Sequence, residues 1–134
     1  MASAPSVAPG TLVVILEDDE DTLELYSLAL TAAGYDVRQT RTGEEGLTLV
    51  RSLRPRAVIS DLTLPDLAGV PLCDALREAG AATDAALIVV SGSADQGLLA
   101  AARQAGAREI LIKPCLPTDL EAALRRALRA SSVR

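Results

Sequence analysis

Four short stretches of this chain have residue types and spacing that suit chemistry. Acid crowds into Glu17-Asp18-Asp19-Glu20-Asp21. A single Asp61 closes the apolar run Ala57-Val58-Ile59-Ser60, Ser91-Gly92 closes another, and Lys113-Pro114 holds the only lysine among 13 basic residues. Gathering Glu17, Asp18 and Asp61 would need a cation, because two carboxylates about 4 Å apart repel by roughly 4 kcal/mol at an effective dielectric near 20. The donors are all oxygen, and the chain has no His. That composition suits a hard ion such as Mg²⁺, which keeps several waters and uses one or two carboxylates. With Lys113 close by, the cluster nears neutrality. An arriving phosphoryl group would meet the metal, the ammonium, the Ser91 hydroxyl and backbone N–H groups, an arrangement that stabilises phosphoryl transfer by position and charge.

Each of these residues also has a purely structural use. Acids at a helix start cap it and favour the positive end of its dipole, so Asp19 reads as a cap and Glu20, Asp21 and Glu24 as a solvated face. A lone Asp after a strand, a Ser-Gly pair or a Lys-Pro pair is often a turn. Their coincidence at one edge of one sheet separates a site from a set of turns.

For that coincidence the chain must fold so that these stretches meet. Leu12–Leu16, Tyr35–Thr40, Ala57–Asp61, Ala85–Val90 and Ile110–Ile112 read as short strands. Runs that are apolar at every position suit strands covered on both faces. Between them, residues at i, i+3, i+4 and i+7 mark helix faces. These are Leu25, Leu28, Ala29 and Ala32; then Gly46, Leu49, Val50 and Leu53; then Leu72, Ala75, Leu76 and Ala79. The series continues with Leu98, Ala101, Ala102 and Ala105, and ends with Leu120, Ala123, Leu124, Ala127 and Leu128. Gly34 ends the first helix and Pro55 stops the second, while Thr118 with Glu121 three residues later predicts the cap of the last. Five strand–helix units with short connections predict one α/β domain over residues 11–130, a parallel sheet with helices on both faces. In such open sheets ligands bind beyond the carboxyl ends of the strands, which is where all four stretches fall. Residues 1–10 read as a loose N-terminal tail and 131–134 as a C-terminal tail.

Composition narrows the function further. A chain of 134 residues with 49% apolar and 23% charged residues fits one globular domain. Without His there is no Ser-His-Asp triad, His-ligated zinc or phosphohistidine on this chain. A net charge of -5 argues against broad nucleic-acid binding. The longest apolar runs are about six residues, far short of the ~20 that span a bilayer. No GxxxxGK[ST] loop is present. Cys73 and Cys115 make no disulfide framework, and a reducing, cytoplasmic compartment is the expectation. Both cysteines read as small packed residues.

LEDDED at 16–21, SDLTLPDLAG at 60–69, VVSGS at 89–93 and ILIKP at 110–114, in this order and at these intervals, resemble the receiver domain of two-component response regulators, across essentially residues 11–130. The resemblance implies the flavodoxin-like, CheY-like (βα)5 fold. It implies Asp61 as phosphoacceptor and Asp18 as direct Mg²⁺ ligand. It gives Glu17 as an acidic neighbour that often acts through water, and Thr63 as donor of a backbone carbonyl to the metal. Ser91 matches the hydroxyl that bonds the phosphoryl group and moves on activation, and Lys113 the ammonium that binds a phosphoryl oxygen. Pro65 and Gly69 match the loop after the acceptor, and Pro114 a proline usually cis in this family. Two positions depart from the pattern. Ile110 stands where receivers commonly carry Tyr or Phe, which leaves either a weaker switch or one carried by the helix-four face alone. Cys115 stands where Phe or Leu is usual.

The function so implied is a signalling switch rather than an enzyme acting on other substrates. A partner histidine kinase or phosphotransfer protein would supply the phosphoryl group. The helix-four, strand-five and helix-five surface would then act on a downstream partner or output domain, with a homodimer through that face left open. No direct nucleic-acid or membrane contact is expected, and the chain reads as either a stand-alone receiver or part of a longer protein. Arg125, Arg126 and Arg129 read as partners of the last helix's dipole, or as a docking or dimer patch. Two other readings compete. One is a degenerate receiver that docks partners without phosphorylation. The other is an aspartyl-phosphate phosphatase of the haloacid dehalogenase type, which fits poorly because Asp61 is followed two positions on by Thr63, not Asp.

Overall fold

The computed structural model of the chain describes residues 9–132, with side-chain surroundings through residue 130. Of the two expected tails, residues 1–8 and 133–134 lie outside the described residues. Five strands and five helices alternate: β1 (Leu12–Leu16), α1 (Glu20–Ala32), β2 (Asp36–Thr40), α2 (Gly43–Leu53), β3 (Ala57–Asp61), α3 (Gly69–Ala79), β4 (Ala86–Ser91), α4 (Gln96–Gln104), β5 (Ala107–Ile112) and α5 (Pro117–Ser132). The strands form one parallel sheet in the order β2-β1-β3-β4-β5. This is the flavodoxin-like order, whose switch point lies between β1 and β3.

The inner strands β1, β3 and β4 bury both faces, as their mostly apolar runs require, while the edge strands β2 and β5 are only partly buried. Val13 and Ile15 look toward α1 and α5, in a core with Leu30, Ile59, Ile88, Leu120 and Leu124. Val14 and Leu16 look the other way, toward α2, α3 and α4, in a core with Val50, Val58, Leu72, Leu76 and Ala102. Consecutive residues of β1 thus serve opposite layers, as the two-residue repeat of a strand dictates. Gly46 of α2 lies directly on Leu16: a Cβ at that position would sit 2.1 Å from Leu16 Cδ2. Gly34, at φ 102°, follows the end of α1 in the left-handed backbone that glycine adopts without strain.

Three expectations need correction. The core stripe of α1 is Leu23, Tyr26 and Leu30, with Ser27 buried beside them. Leu25 and Leu28 instead face outward, 52% and 63% exposed. Leucines lie on both sides of this helix, so 3.6-residue spacing fits either stripe. What separates them is the Tyr26 hydroxyl, which finds an acceptor in the Cys115 carbonyl at 3.3 Å. β5 begins at Ala107, not Ile110. Its first half contains Arg108 and Glu109, which read as loop but are held by Asp84 at 3.0 Å and Arg126 at 2.9 Å. α5 begins at Pro117, so Thr118 lies inside the first turn, and proline takes the position whose N–H has no helical partner.

Candidate functional site

The carboxyl ends of β1, β3, β4 and β5 deliver the chemistry. β1 ends at Leu16 in the middle of the sheet, so Glu17 leaves it still buried, at 2% exposure, with its backbone N–H donating to the Thr40 carbonyl. Asp18 follows in the open. Asp19 then caps α1, its carboxylate accepting from the Thr22 N–H at 3.0 Å. That bond and the one from the Thr22 hydroxyl hold Asp19 below the usual carboxylate range. Asp61 is the last residue of the fully buried β3 and is 5% exposed. Lys113 follows β5, tied through its own N–H to the Ser91 carbonyl at 2.7 Å, and the Lys113–Pro114 peptide is cis.

These side chains converge. Lys113 Nζ donates to Glu17 Oε1 at 2.8 Å and to Asp61 Oδ2 at 2.9 Å. Burial works against the charge on Lys113, but the hydrogen bonds and charges of the two carboxylates outweigh it and raise its pKa. Glu17 is pushed up by burial, although Lys113 and the Asp19 N–H, 3.0 Å from Oε2, pull the other way. Asp61 Oδ1 accepts from the Thr63 N–H at 3.1 Å and from the Thr63 hydroxyl at 3.3 Å. Glu17, Asp18 and Asp61 each offer a carboxylate oxygen within 4.8 Å of the others. Three carboxylates and one ammonium leave two negative charges uncompensated. An all-oxygen donor set with that surplus suits a hard divalent cation held through one or two carboxylates and water. Of the expected residues, the structure thus brings Glu17, Asp18, Asp61, Thr63 and Lys113 together.

Ser91 is placed differently. It is buried at the end of β4, but its hydroxyl donates to the Ser93 carbonyl at 2.9 Å and accepts from the Ser93 N–H at 3.0 Å. Its single O–H is therefore spent on its own loop. Beyond it, the Ser93 hydroxyl accepts from the Asp95 N–H, and Asp95 caps α4 through the Leu98 N–H at 2.8 Å. Ile110 is packed against the α2–α4 side of the core.

Two neighbours of the site are absent from the sequence reading. Arg41, just after β2, donates to the Asp18 carbonyl at 3.1 Å. Asp66, in the loop after Asp61, accepts from the N–H groups of Gly43 and Glu44 at 2.7 and 2.9 Å. Neither contact has a local signal, because each joins residues more than 20 positions apart. Cys73 is buried in the core, which pushes its thiol up to about 11. Cys115 is partly buried against the core, and burial raises its thiol too. Among the described residues no helix is long and apolar enough to cross a membrane.

Comparison with known proteins gives a consistent result. The family model of the response regulator receiver domain matches residues 13–125. The DNA-binding response regulator MtrA of Mycobacterium tuberculosis (strain ATCC 25618 / H37Rv) is 30% identical over 117 residues, 87% of this chain and 50% of that protein. Response regulator MprA of Mycolicibacterium vanbaalenii is 32% identical over 120 residues, 90% of this chain and 51% of that protein. The chain spans about half the length of these curated relatives. Among solved structures, a CheY-like receiver domain protein from Methanospirillum hungatei JF-1 matches with a TM-score of 0.85 at 25% identity, over 92% of this chain and 98% of that one. A putative response regulator from Chloroflexus aurantiacus J-10-fl matches with a TM-score of 0.80 at 30% identity, over 89% and 98%.

Proposed function

The chain belongs to the response regulator receiver domain family, and from that premise we propose that it is a phosphorylation-activated switch whose acceptor is Asp61. The observation that carries this reading is the ammonium of Lys113, bonded to both Asp61 and Glu17 beside a third carboxylate. A receiver needs a nucleophilic carboxylate whose phosphorylated form finds positive charge already in place. Asp61 has that partner in Lys113, and Glu17, Asp18, Asp61 and the Thr63 carbonyl are the groups that would hold Mg²⁺. The bound ion would supply charge stabilisation to the phosphoryl oxygens.

In the transfer, an Asp61 oxygen forms a bond to phosphorus as the donor's P–N bond breaks, and the electron pair leaves on the donor's imidazole nitrogen. The donor in this proposal is a partner histidine kinase or phosphotransfer protein. Lys113 moves from carboxylate to phosphoryl oxygen without needing to travel far. The acyl phosphate carries about one more negative charge than the carboxylate it replaces. That charge draws the Ser91 hydroxyl away from Ser93 and shifts the population of conformers. The loop that Ser91 leaves carries Asp95 and hence the start of α4, so the change is read on the α4, β5 and α5 surface by a downstream partner or output domain. The chain acts in the cytoplasm and assists only its own phosphorylation and dephosphorylation. A second reading, partner docking without phosphorylation, draws on Ile110, which has no ring to bury when Ser91 moves.

Incubation with acetyl phosphate and Mg²⁺, read by intact mass, separates the two. The switch predicts one phosphate increment that needs Mg²⁺ and is lost in Asp61→Asn. No increment, or one that survives Asp61→Asn, would sink Asp61 as acceptor.

A further inference from the structure

The loop between β3 and α3 carries two of the groups assigned to the site, Asp61 at its start and Thr63 within it. It is held at both ends of a short span. Thr63 pairs with Ala68 as an antiparallel bridge, the Leu64 N–H donates to the Leu67 carbonyl at 3.2 Å, and the Gly69 N–H donates to the Leu62 carbonyl at 2.8 Å. Leu62 and Leu64 bury their side chains in the core, and the Leu62 N–H donates to the Val90 carbonyl at 3.3 Å. Asp66 adds the loop's polar tie to α2. Its two carboxylate oxygens take the N–H groups of Gly43 and Glu44, one each. Those are the first two residues of α2, whose N–H groups have no partner within the helix. The two bonds from α2 hold Asp66 below the ordinary carboxylate range, so it is charged at neutral pH and favourably set at the positive end of the helix.

The fit is also steric. A Cβ on Gly43 would come 2.9 Å from Leu67 Cβ and 3.3 Å from Asp66 Oδ1. The loop therefore lies flush on the start of α2, and only glycine leaves room for it. Thr42 already caps α2 by accepting from the Glu45 N–H at 3.2 Å. The helix thus has a cap of its own. Asp66 is a second, long-range one, and its effect falls on the loop that presents it.

We propose that Asp66 is a positioning residue: by fastening the β3–α3 loop to α2, it fixes the Thr63 backbone and the Asp61 carboxylate where the cation and phosphoryl group must meet them. The assignment rests on the reading of Asp61 and Thr63 given above. It extends that reading to a residue that touches neither phosphoryl group nor metal. Without the tether the loop keeps its internal bonds and its buried leucines but loses its polar tie to α2, and the carbonyl of Thr63 is held less closely in place before the cation arrives. Loss of a group that orients a metal ligand typically weakens binding by at least about tenfold.

The test is the Mg²⁺ dissociation constant of the full chain without phosphodonor, from amide chemical-shift titration, in the wild type, Asp66→Ala and Gly43→Ala. Asp66 is on the surface and Thr42 still caps α2, so Asp66→Ala keeps the fold. Gly43→Ala attacks the same contact from the other side. The expected result is a roughly tenfold weaker Mg²⁺ constant in both variants, with faster hydrogen exchange in Asp66→Ala at Gly43 and Glu44, whose N–H groups lose their acceptor. With saturating Mg²⁺, phosphorylation by acetyl phosphate recovers most of the wild-type rate. A Mg²⁺ constant in Asp66→Ala within twofold of wild type, whatever happens to exchange, would overturn the assignment and leave Asp66 a structural cap. A wild type that takes up no Mg²⁺ would overturn it too, by removing the reading beneath it.

Discussion

Lys113 shows how much one side chain decides in this protein. It is the single ammonium against a background of arginine, and it stands between two buried carboxylates that would otherwise repel one another. A compact point charge can pass from Asp61 to a phosphoryl oxygen where the rigid fork of an arginine would not be equivalent. Sequence order and spacing were enough to expect Glu17, Asp18, Asp61 and Lys113 at one place, because each lies at or within two residues of the end of a strand and parallel strands bring their ends together. They did not reveal that the Ser91 hydroxyl donates to the Ser93 carbonyl, within its own loop. Nor did they reveal Asp66, whose partners belong to a helix 22 and 23 positions earlier. Asp66 also makes a pH prediction. The α2 N–H groups bind its charged form and lower its folded-state pKa. The stability it lends is complete above the unfolded-state value near 4 and drains away as pH falls through the lowered one. Denaturant melts should therefore show wild type more stable than Asp66→Ala at pH 7, with the gap closing below about pH 4. A gap of constant size down to pH 2 would show that charge has no part in the contact.

Helix α1 is where periodicity alone failed among the elements. Leu23, Leu25, Leu28 and Leu30 surround the helix, and two stripes satisfy the same spacing. The phase is set from outside, by Asp19 at the cap and by Tyr26 reaching the Cys115 carbonyl in the loop after Lys113. That contact also joins α1 to the element that carries the ammonium. Exposed positions away from special contacts change stability by less than about 0.5 kcal/mol, whereas a buried leucine cut to alanine costs about 2–5 kcal/mol. Leu28→Ser should thus melt like the wild type, and Leu30→Ala should lose about 2–5 kcal/mol. Equal losses would restore the outer stripe to the core. α5 met no such ambiguity: Leu120, Ala123, Leu124, Ala127 and Leu128 are all buried as their spacing predicts, because its other face is charged. β5 was legible only in its apolar half, since Arg108 and Glu109 carry charges that are paired with side chains from elsewhere in the chain.

For the whole molecule, the two-layer packing explains why a switch can be local in origin and broad in effect. All the charged chemistry lies at one edge of the sheet, while the two cores behind it are almost wholly aliphatic. Close-packed interiors resist gradual deformation, so a new charge at that edge is accommodated by the loops and helix starts around it. On the proposed switch, the bond from the Ser91 hydroxyl to the Ser93 carbonyl and those that the Asp95 and Leu98 N–H groups donate to Ser93 Oγ and Asp95 Oδ1 would supply such a route without an aromatic ring at Ile110. Everything turns on whether the phosphoryl group resides on Asp61 as an acyl phosphate. The most direct measurement is borohydride trapping after reaction with acetyl phosphate and Mg²⁺, since hydride reduces an acyl phosphate to an alcohol and leaves free carboxylates and phosphoesters untouched. Peptide mapping should then find homoserine at position 61 and nowhere else. Homoserine elsewhere, or a phosphate that resists borohydride and stays on a hydroxyl, would contradict the account.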